Sequence, residues 1–352
     1  MKKRLVLLHW LNLALTGVTL AMAMGSLIPS QYIPGISVLV LLLPLLVIPH
    51  VVAFLFWIRF NPRKSSTNFL GLAIIAFPLM AQWPYARAEE ISEGEVKIAT
   101  YNVRAFYQTS GAAQAIGNWT QQQSIDILCM QEMRRSAAAP LAKHYPYRIY
   151  APRNKNYSVA IYSKYPIINH SPLEYTSLST KGYARTSAQY ADIVLPFDTV
   201  RVLNVHLSST GLQDQDMDAV HSKDELLETG QFVLRKLAAS DRNRGLQANH
   251  IIEWVKESPH PVVLSGDFNG VPGGNLYWRL LQHLRDPYIL DGYGTMGSFE
   301  PLARRGLFFK IDWTMHSANL HSNGQYIENI NLSDHRPLVT RFSPEPPAPQ
   351  GD

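Results

Sequence analysis

The chain has 352 residues, more than one average domain holds, and a formal net charge of +5. Seven basic residues (Lys2, Lys3, Arg4, Arg59, Arg63, Lys64 and Arg87) stand against three acidic ones in residues 1–93, giving that part +4. The other 25 basic and 24 acidic residues nearly cancel, which counts against a broad polyanion groove on the C-terminal part. The single cysteine, Cys129, excludes a disulfide framework and a cysteine-rich zinc site. In the apolar run 127–130 it reads as a buried, inert thiol.

Residues 5–28 and 36–60 are apolar, with His9 and Asn12 in the first run and Ser37, His50 and Arg59 in the second as the main polar interruptions. Each is long enough to cross about 30 Å of hydrocarbon. A third run, 69–83, has 15 residues, and at ~1.5 Å per residue it is short for a span. Basic residues cluster at 2–4 and 59–64 and are absent from the connection 29–35, so both basic ends stay in the cytoplasm. Three crossings then give a multi-pass protein of the cell membrane with everything after residue 83 on the extracytoplasmic, periplasmic side. Two alternatives stand beside this: the first run as a cleaved signal peptide, and Ala86-Arg87-Ala88 as a signal-peptidase site that frees the soluble part.

The expected organisation is a membrane region 1–88 with three helices, a polar linker 89–95, one domain 96–342 and a Pro-rich tail 343–352. Strand patterns fall at 96–103, 126–131, 147–150, 158–162, 187–195, 200–207, 261–264, 311–315 and 337–342. Helical spacing marks 112–123, 217–239, 245–256 and 275–284, with Arg242 and Arg244 in a polar turn between the second and third. Hairpins mixed with strand–helix alternation predict an α+β fold, its sheets packed on each other with helices outside.

The chemistry gathers at strand ends. After the apolar run 261–264, Gly266 breaks the strand where Asp267 and Asn269, two residues apart, can converge on one ligand. Other apolar runs end on Asn102, Glu132 and His206; Asp312 sits inside one, and Asp334-His335 precedes the last. Any one of these is satisfied as a cap or turn, whereas five together predict a shared pocket. Glu132, Asp334 and Asn102 are hard oxygen donors suited to Mg²⁺, with Mn²⁺ as the alternative. His335 beside a carboxylate suits a general base whose ring a buried Asp312 orients. No nucleophile motif or Gly-rich phosphate loop stands out, leaving water as the nucleophile on a phosphodiester.

Thr100-Tyr-Asn-Val103, Cys129-Met-Gln-Glu132, Asn204-Val-His206, Ser265-Gly-Asp-Phe-Asn269, Ile311-Asp-Trp313 and Ser333-Asp-His-Arg-Pro337 occur in the order and spacing of the endonuclease/exonuclease/phosphatase superfamily, which this chain resembles over residues 96–342. The resemblance leans toward the deoxyribonuclease and sphingomyelinase branches, in a membrane-anchored bacterial type. It implies a four-layer α/β/β/α sandwich with the site at one edge of the paired sheets. It also implies Asn102, Glu132 and Asp334 around the metal, Asp312 paired with His335 as base, Asp267 positioning the water, and Asn269 with His206 on the phosphate.

The expected activity is that of a metal-dependent phosphodiesterase, nuclease-like first, with a phospholipid or sphingomyelin phosphodiesterase or phosphatase as the alternative and an inactive binding domain below both. The expected partners are a phosphodiester substrate, nucleic acid or phospholipid, and the lipid bilayer; no protein partner is evident. Asn204 and Arg185 are candidate substrate contacts. Phe308 and Phe309 beside Arg304, Arg305 and Lys310 read either as a stacking and phosphate-binding loop or as a packed hairpin. The segment 208–249 is a candidate lid beside His206.

Overall fold

A computed structural model describes residues 2–83, 94–151, 158–175, 187–211, 223–294 and 297–344. The proposed linker (apart from residues 94 and 95), the Ala86-Arg87-Ala88 motif, the tail beyond residue 344 and Arg185 lie outside these described residues.

The N-terminal region is α1 (Lys2–Gly25), a 3-10 helix (Ile36–Leu46) that runs directly into α2 (Val47–Phe60), and α3 (Ser66–Met80). Several of its polar side chains face inward and pair with one another: Asn12 Nδ2 donates to Thr67 Oγ1 at 2.7 Å, Thr19 Oγ1 meets His50 Nε2 at 2.9 Å, and His50 Nδ1 meets Asn68 Oδ1 at 3.3 Å. Leu7, Trp10, Leu11, Ile48, Val52, Leu55 and Phe69 instead point outward and are exposed. That inside-out pattern is the arrangement a lipid surround favours. The stretches Lys3–Gly25 and Ile36–Phe60, of 23 and 25 residues, are long and apolar enough to cross a membrane; α3, with 15, is shorter than a full span.

Among the described residues the C-terminal domain has twelve strands: β1 (Val96–Asn102), β2 (Ile127–Met133), β3 (Tyr147–Tyr150), β4 (Ser158–Ser163), β5 (Ile167–Leu173), β6 (Ser187–Val194), β7 (Thr199–His206), β8 (Val262–Asp267), β9 (Gly292–Gly294), β10 (Asp312–His316), β11 (His321–Ile327) and β12 (Leu338–Ser343). They form a seven-stranded sheet, β3-β4-β2-β1-β12-β11-β9, and a five-stranded sheet, β10-β8-β7-β6-β5. Period-two alternation splits each strand between two cores. Ile98, Ile127, Cys129, Ile193, Val202 and Val263 fill the space between the sheets. Their neighbours Ala99, Leu128 and Met130 face outward against α4 (Ala112–Gln122) and α5 (Ala139–Ala142). Leu203, Leu264 and Trp313 face α6 (Lys223–Lys256) and α7 (Asn275–Leu281) on the other side. The result is the expected four-layer α/β/β/α sandwich. Cys129 is fully buried, and burial pushes its thiol pKa up, as suits an inert core residue.

Three strands carry no sequence signal strong enough to read. β5 is a half-exposed edge strand with Pro172 inside it, β9 has three residues, and β11 is a polar His-Ser-Asn-Gly-Gln run. The expected polar turn between two helices is also corrected: 223–256 is one continuous helix, α6. Gly245, which looks like a helix breaker, sits mid-helix because a Cβ there would come within 2.6 Å of Ser30 Oγ in the N-terminal connection.

The N-terminal bundle docks on this domain through specific contacts. Asp241 Oδ2 accepts from the N–H groups of Gly35 (3.1 Å) and Ser37 (3.4 Å), while its carbonyl accepts from Ser30 Oγ at 2.9 Å. Asn275 Nδ2 donates to the Leu27 carbonyl at 2.7 Å, and Trp278 stacks on Phe77 with ring centroids 4.7 Å apart. The docked end of the bundle comprises the connection after α1 and the end of α3. Arg59 and Lys64 lie at and after the end of α2, away from that docked end.

Candidate active site

Both sheets deliver polar side chains to one edge. β1 and β2 are parallel and in register (Asn102 beside Gln131), so their carboxyl ends coincide. The register between β2 and β4 slips from Met130 to Met133, and in that irregularity Glu132 takes φ 48°. A left-handed backbone at a non-glycine residue is costly and turns the carboxylate out of the strand alternation into the cleft. In the second sheet His206 pairs with Asp267 and Asp267 with Asp312, so three functional groups share one rung. Gly266, at φ 154°, permits this close approach: a Cβ there would lie 2.0 Å from the Val205 carbonyl oxygen. Asn269 turns the chain out at φ 50°.

Asp267 is the hub. Its Oδ2 accepts from Asn102 Nδ2 at 2.9 Å and lies 3.6 Å from His206 Nε2 and 3.8 Å from His335 Nε2, while Oδ1 accepts from the Asn269 N–H at 2.9 Å. Asp312 Oδ2 and His335 Nδ1 are 2.9 Å apart, and the other Asp312 oxygen has no hydrogen-bond partner among the described residues. Burial pushes the Asp312 carboxyl up to about 6 against the pull of His335. Burial opposes charge on His335 too, but the carboxylates of Asp312, Asp267 and Asp334 outweigh it and raise the imidazole to about 10. His206 Nε2 is buried without a hydrogen-bond partner among the described residues, 3.8 Å from Glu132 Oε1. Asp334 accepts from Ser333 Oγ at 3.1 Å and lies 3.2 Å from the Arg104 guanidinium.

Asn102, Glu132, Asp267, Asn269, Asp334 and His335 line one cleft of about 550 Å³, with His206 and Asp312 directly behind it. One proposed substrate contact is not brought there. Asn204 lies between the sheets, donating to the Met130 and Ala160 carbonyls at 3.0 and 2.9 Å and accepting from Gln131 Nε2 at 2.7 Å. It fastens the two sheets together and faces no substrate; Arg185 is outside the described residues. Lys310 is also removed from any phosphate loop: it is fully buried and 3.2 Å from Asp286. Phe309 and Arg305 do line the cleft.

Arg104 and Arg244 line the cleft as well, and sequence reasoning missed both. Arg244 is buried, donates to the Ser208 carbonyl at 3.0 Å and lies 3.9 Å from Asp241. Its signal was the spacing Leu237, Asp241, Arg244, Ala248, Ile251, one face of an uninterrupted helix.

A divalent cation fits this site by donor chemistry. Glu132, Asp334 and the Asn102 amide offer hard oxygens to the same cleft, and none of the described residues lining it carries sulfur. Asp267, Asp312 and His335 also offer atoms within 4.8 Å of one another, with His335 Nδ1 and Asp312 Oδ2 2.9 Å apart inside that group.

Fold and site define a phosphoric ester hydrolase built on two stacked sheets. The chain belongs to the endonuclease/exonuclease/phosphatase family, whose model matches residues 99–335 and whose enzymes are generally dependent on divalent metals. Solved structures of the same fold include a family member from Bacteroides thetaiotaomicron (16% identity, TM-score 0.55, covering 72% of this chain and 98% of that one) and another from Bacteroides vulgatus (19%, 0.51, 71% and 99%). A functionally unknown conserved protein from Enterococcus faecalis is similar at 20% identity and TM-score 0.51, covering 71% of this chain and all of its own. No curated protein matches the sequence.

Proposed function

We propose that this chain is a membrane-anchored, Mg²⁺-dependent phosphohydrolase that directs water onto a phosphoester. The observation that carries the reading is the convergence of the Asp312–His335 pair, Asp267 and Glu132 on one cleft. Glu132, Asp334 and Asn102 would hold the cation, which when bound neutralises phosphoryl oxygens and, by its charge, draws His335 back toward its neutral form. Asp312 fixes the imidazole by accepting from Nδ1–H, which leaves Nε2 as the acceptor for the proton of the attacking water. Asp267 faces His335 Nε2 at 3.8 Å and positions that water, while Asn269 and His206 Nε2 face the phosphoryl oxygens. The water oxygen bonds to phosphorus as the P–O bond to the alcohol breaks, and the proton held by His335 returns to the leaving oxygen.

The full chain in detergent, assayed on bis(4-nitrophenyl) phosphate, tests this. Turnover is expected with Mg²⁺ or Mn²⁺ and none with chelator. Glu132→Gln is expected to lower kcat/KM by about 10² or more, as removal of one preorganised charge-stabilising group does. Turnover that persists in chelator, or near-normal turnover of the variant at saturating Mg²⁺, would sink the metal assignment.

A further inference from the structure

Resting on the phosphohydrolase reading, we propose that the substrate is a glycerophospholipid of the bilayer that holds α1, α2 and α3, and that the N-terminal segment forms one wall of its cleft. Ser37, Val38 and Leu41 line the same cleft as Glu132, Asp267 and His335. They belong to the 3-10 helix Ile36–Leu46, which continues unbroken into α2. Three residues per turn stack Val38 and Leu41 on one face of that helix and Val40 and Leu43 on another. Val40 and Leu43 are fully buried against Ile75, with Val271 packed beside them, which fixes the wall in place. The Asp241 carboxylate holds the entrance of the same helix through the N–H groups of Gly35 and Ser37.

The cleft lining is therefore mixed. It carries carboxylates, amides and the cations Arg104 and Arg244, as a phosphoester head requires. It also carries Val38 and Leu41 of the N-terminal segment together with apolar residues of the catalytic domain, among them Val271, Leu276 and Leu302. A soluble nucleic acid has no use for aliphatic side chains in the cleft lining, and the catalytic part of the chain has nearly balanced charge, with 25 basic and 24 acidic residues after position 93. An acyl chain leaving the cleft along Val38 and Leu41 instead follows the helix that runs directly on into α2, where Ile48, Val52 and Leu55 are exposed. Burying the methylenes of an acyl chain there is favourable in proportion to their number, so chain length should set affinity.

The test uses the full chain in mixed detergent micelles with Mg²⁺, dioleoyl and dibutyryl phosphatidylglycerol as long- and short-chain esters of one head group, linear double-stranded DNA, and bis(4-nitrophenyl) phosphate. Released product is followed by phosphorus NMR or, for the aryl ester, absorbance. For the wild-type chain kcat/KM on the dioleoyl lipid is expected to exceed that on the dibutyryl lipid at least tenfold. Leu41→Ser and Val38→Ser are expected to shrink that ratio at least fivefold, and because both esters are read on one preparation, misfolding cannot mimic the change. Equal rates on the two lipids, a ratio that neither substitution alters, or cleavage of DNA alone would each overturn the proposal. Turnover of the aryl diester without either lipid would overturn it while leaving the hydrolase reading intact. No turnover of any of the four would bring down the hydrolase reading and the proposal with it.

Discussion

Asp312 and His335 meet at 2.9 Å between Oδ2 and Nδ1 in a contact from which solvent is excluded, Asp312 being completely buried. The strand that carries Asp312 pairs with β8, and the loop before β12 carries His335, so the contact joins the two sheets at the cleft. An aspartate in that place selects the tautomer with a proton on Nδ1 and leaves Nε2 facing Asp267. If the two act as a unit, removing either removes the function of both. His335→Ala is expected to lower kcat by about 10² to 10⁴. The Asp312→Ala, His335→Ala double variant is expected to lose no more than His335→Ala alone. Steady-state kinetics of the three variants decides it, and a double variant showing the product of the single losses would mean the residues work independently.

Sequence patterns made the candidate site legible because each of its polar groups sits at or next to one end of an apolar strand, and strand ends in a two-sheet sandwich share an edge. They failed where the same pattern repeats one step deeper. Asn204 and His206 are two residues apart on β7 and point the same way, toward the other sheet. His206 reaches the edge, while Asn204 is spent on the Met130 and Ala160 carbonyls. Period alone cannot tell those depths apart. Arg244 was lost for a different reason: Gly245 reads locally as a break, and the constraint that makes it glycine is Ser30, more than two hundred residues away. The docking of the bundle on the domain, and with it the part that Val38 and Leu41 play, has no local signature at all.

Away from the cleft, one ion pair sets an acid limit on stability. Asp192 and Arg201 face each other across β6 and β7, joined by two hydrogen bonds of 2.7 and 2.8 Å, both buried. Burial alone would raise the Asp192 carboxyl, but hydrogen bonds from Arg201 and Asn169 hold it below its ordinary 3.8. A carboxyl depressed by folding contributes stability above its unfolded pKa and loses it as pH falls through the folded value. The contribution is thus present at neutral pH and disappears below about pH 4. Asp192→Asn is expected to cost about 3–5 kcal/mol at pH 7, since it strands the Arg201 guanidinium, and to flatten the acid limb. Denaturant unfolding of both proteins in detergent at pH 7 and pH 3 checks it. An equal gap between them at the two pH values would remove Asp192 from the acid response.

The last prediction is topology, and it follows from where the bundle keeps its charge. Lys2, Lys3, Arg4, Arg59, Arg63 and Lys64 flank the free ends of α1, α2 and α3, whereas the ends that hold the catalytic domain, near Leu27, Gly35 and Phe77, carry no basic side chain in residues 26–37. Basic flanks stay in the cytoplasm, so α1 should cross outward, α2 inward and α3 outward. The weak point is α3, whose 15 residues reach about 22 Å at ~1.5 Å each, less than a full hydrocarbon core. Its seat between α1 and α2, and the inward-facing Asn68 that meets His50, let it cross as part of a bundle where it would not cross alone. Alkaline phosphatase and green fluorescent protein, each fused after Glu95 in cells, report the side reached. Phosphatase activity without fluorescence is expected. Bright fluorescence with an inactive phosphatase would place the domain in the cytoplasm, with α3 lying along the membrane and the cleft facing the inner leaflet.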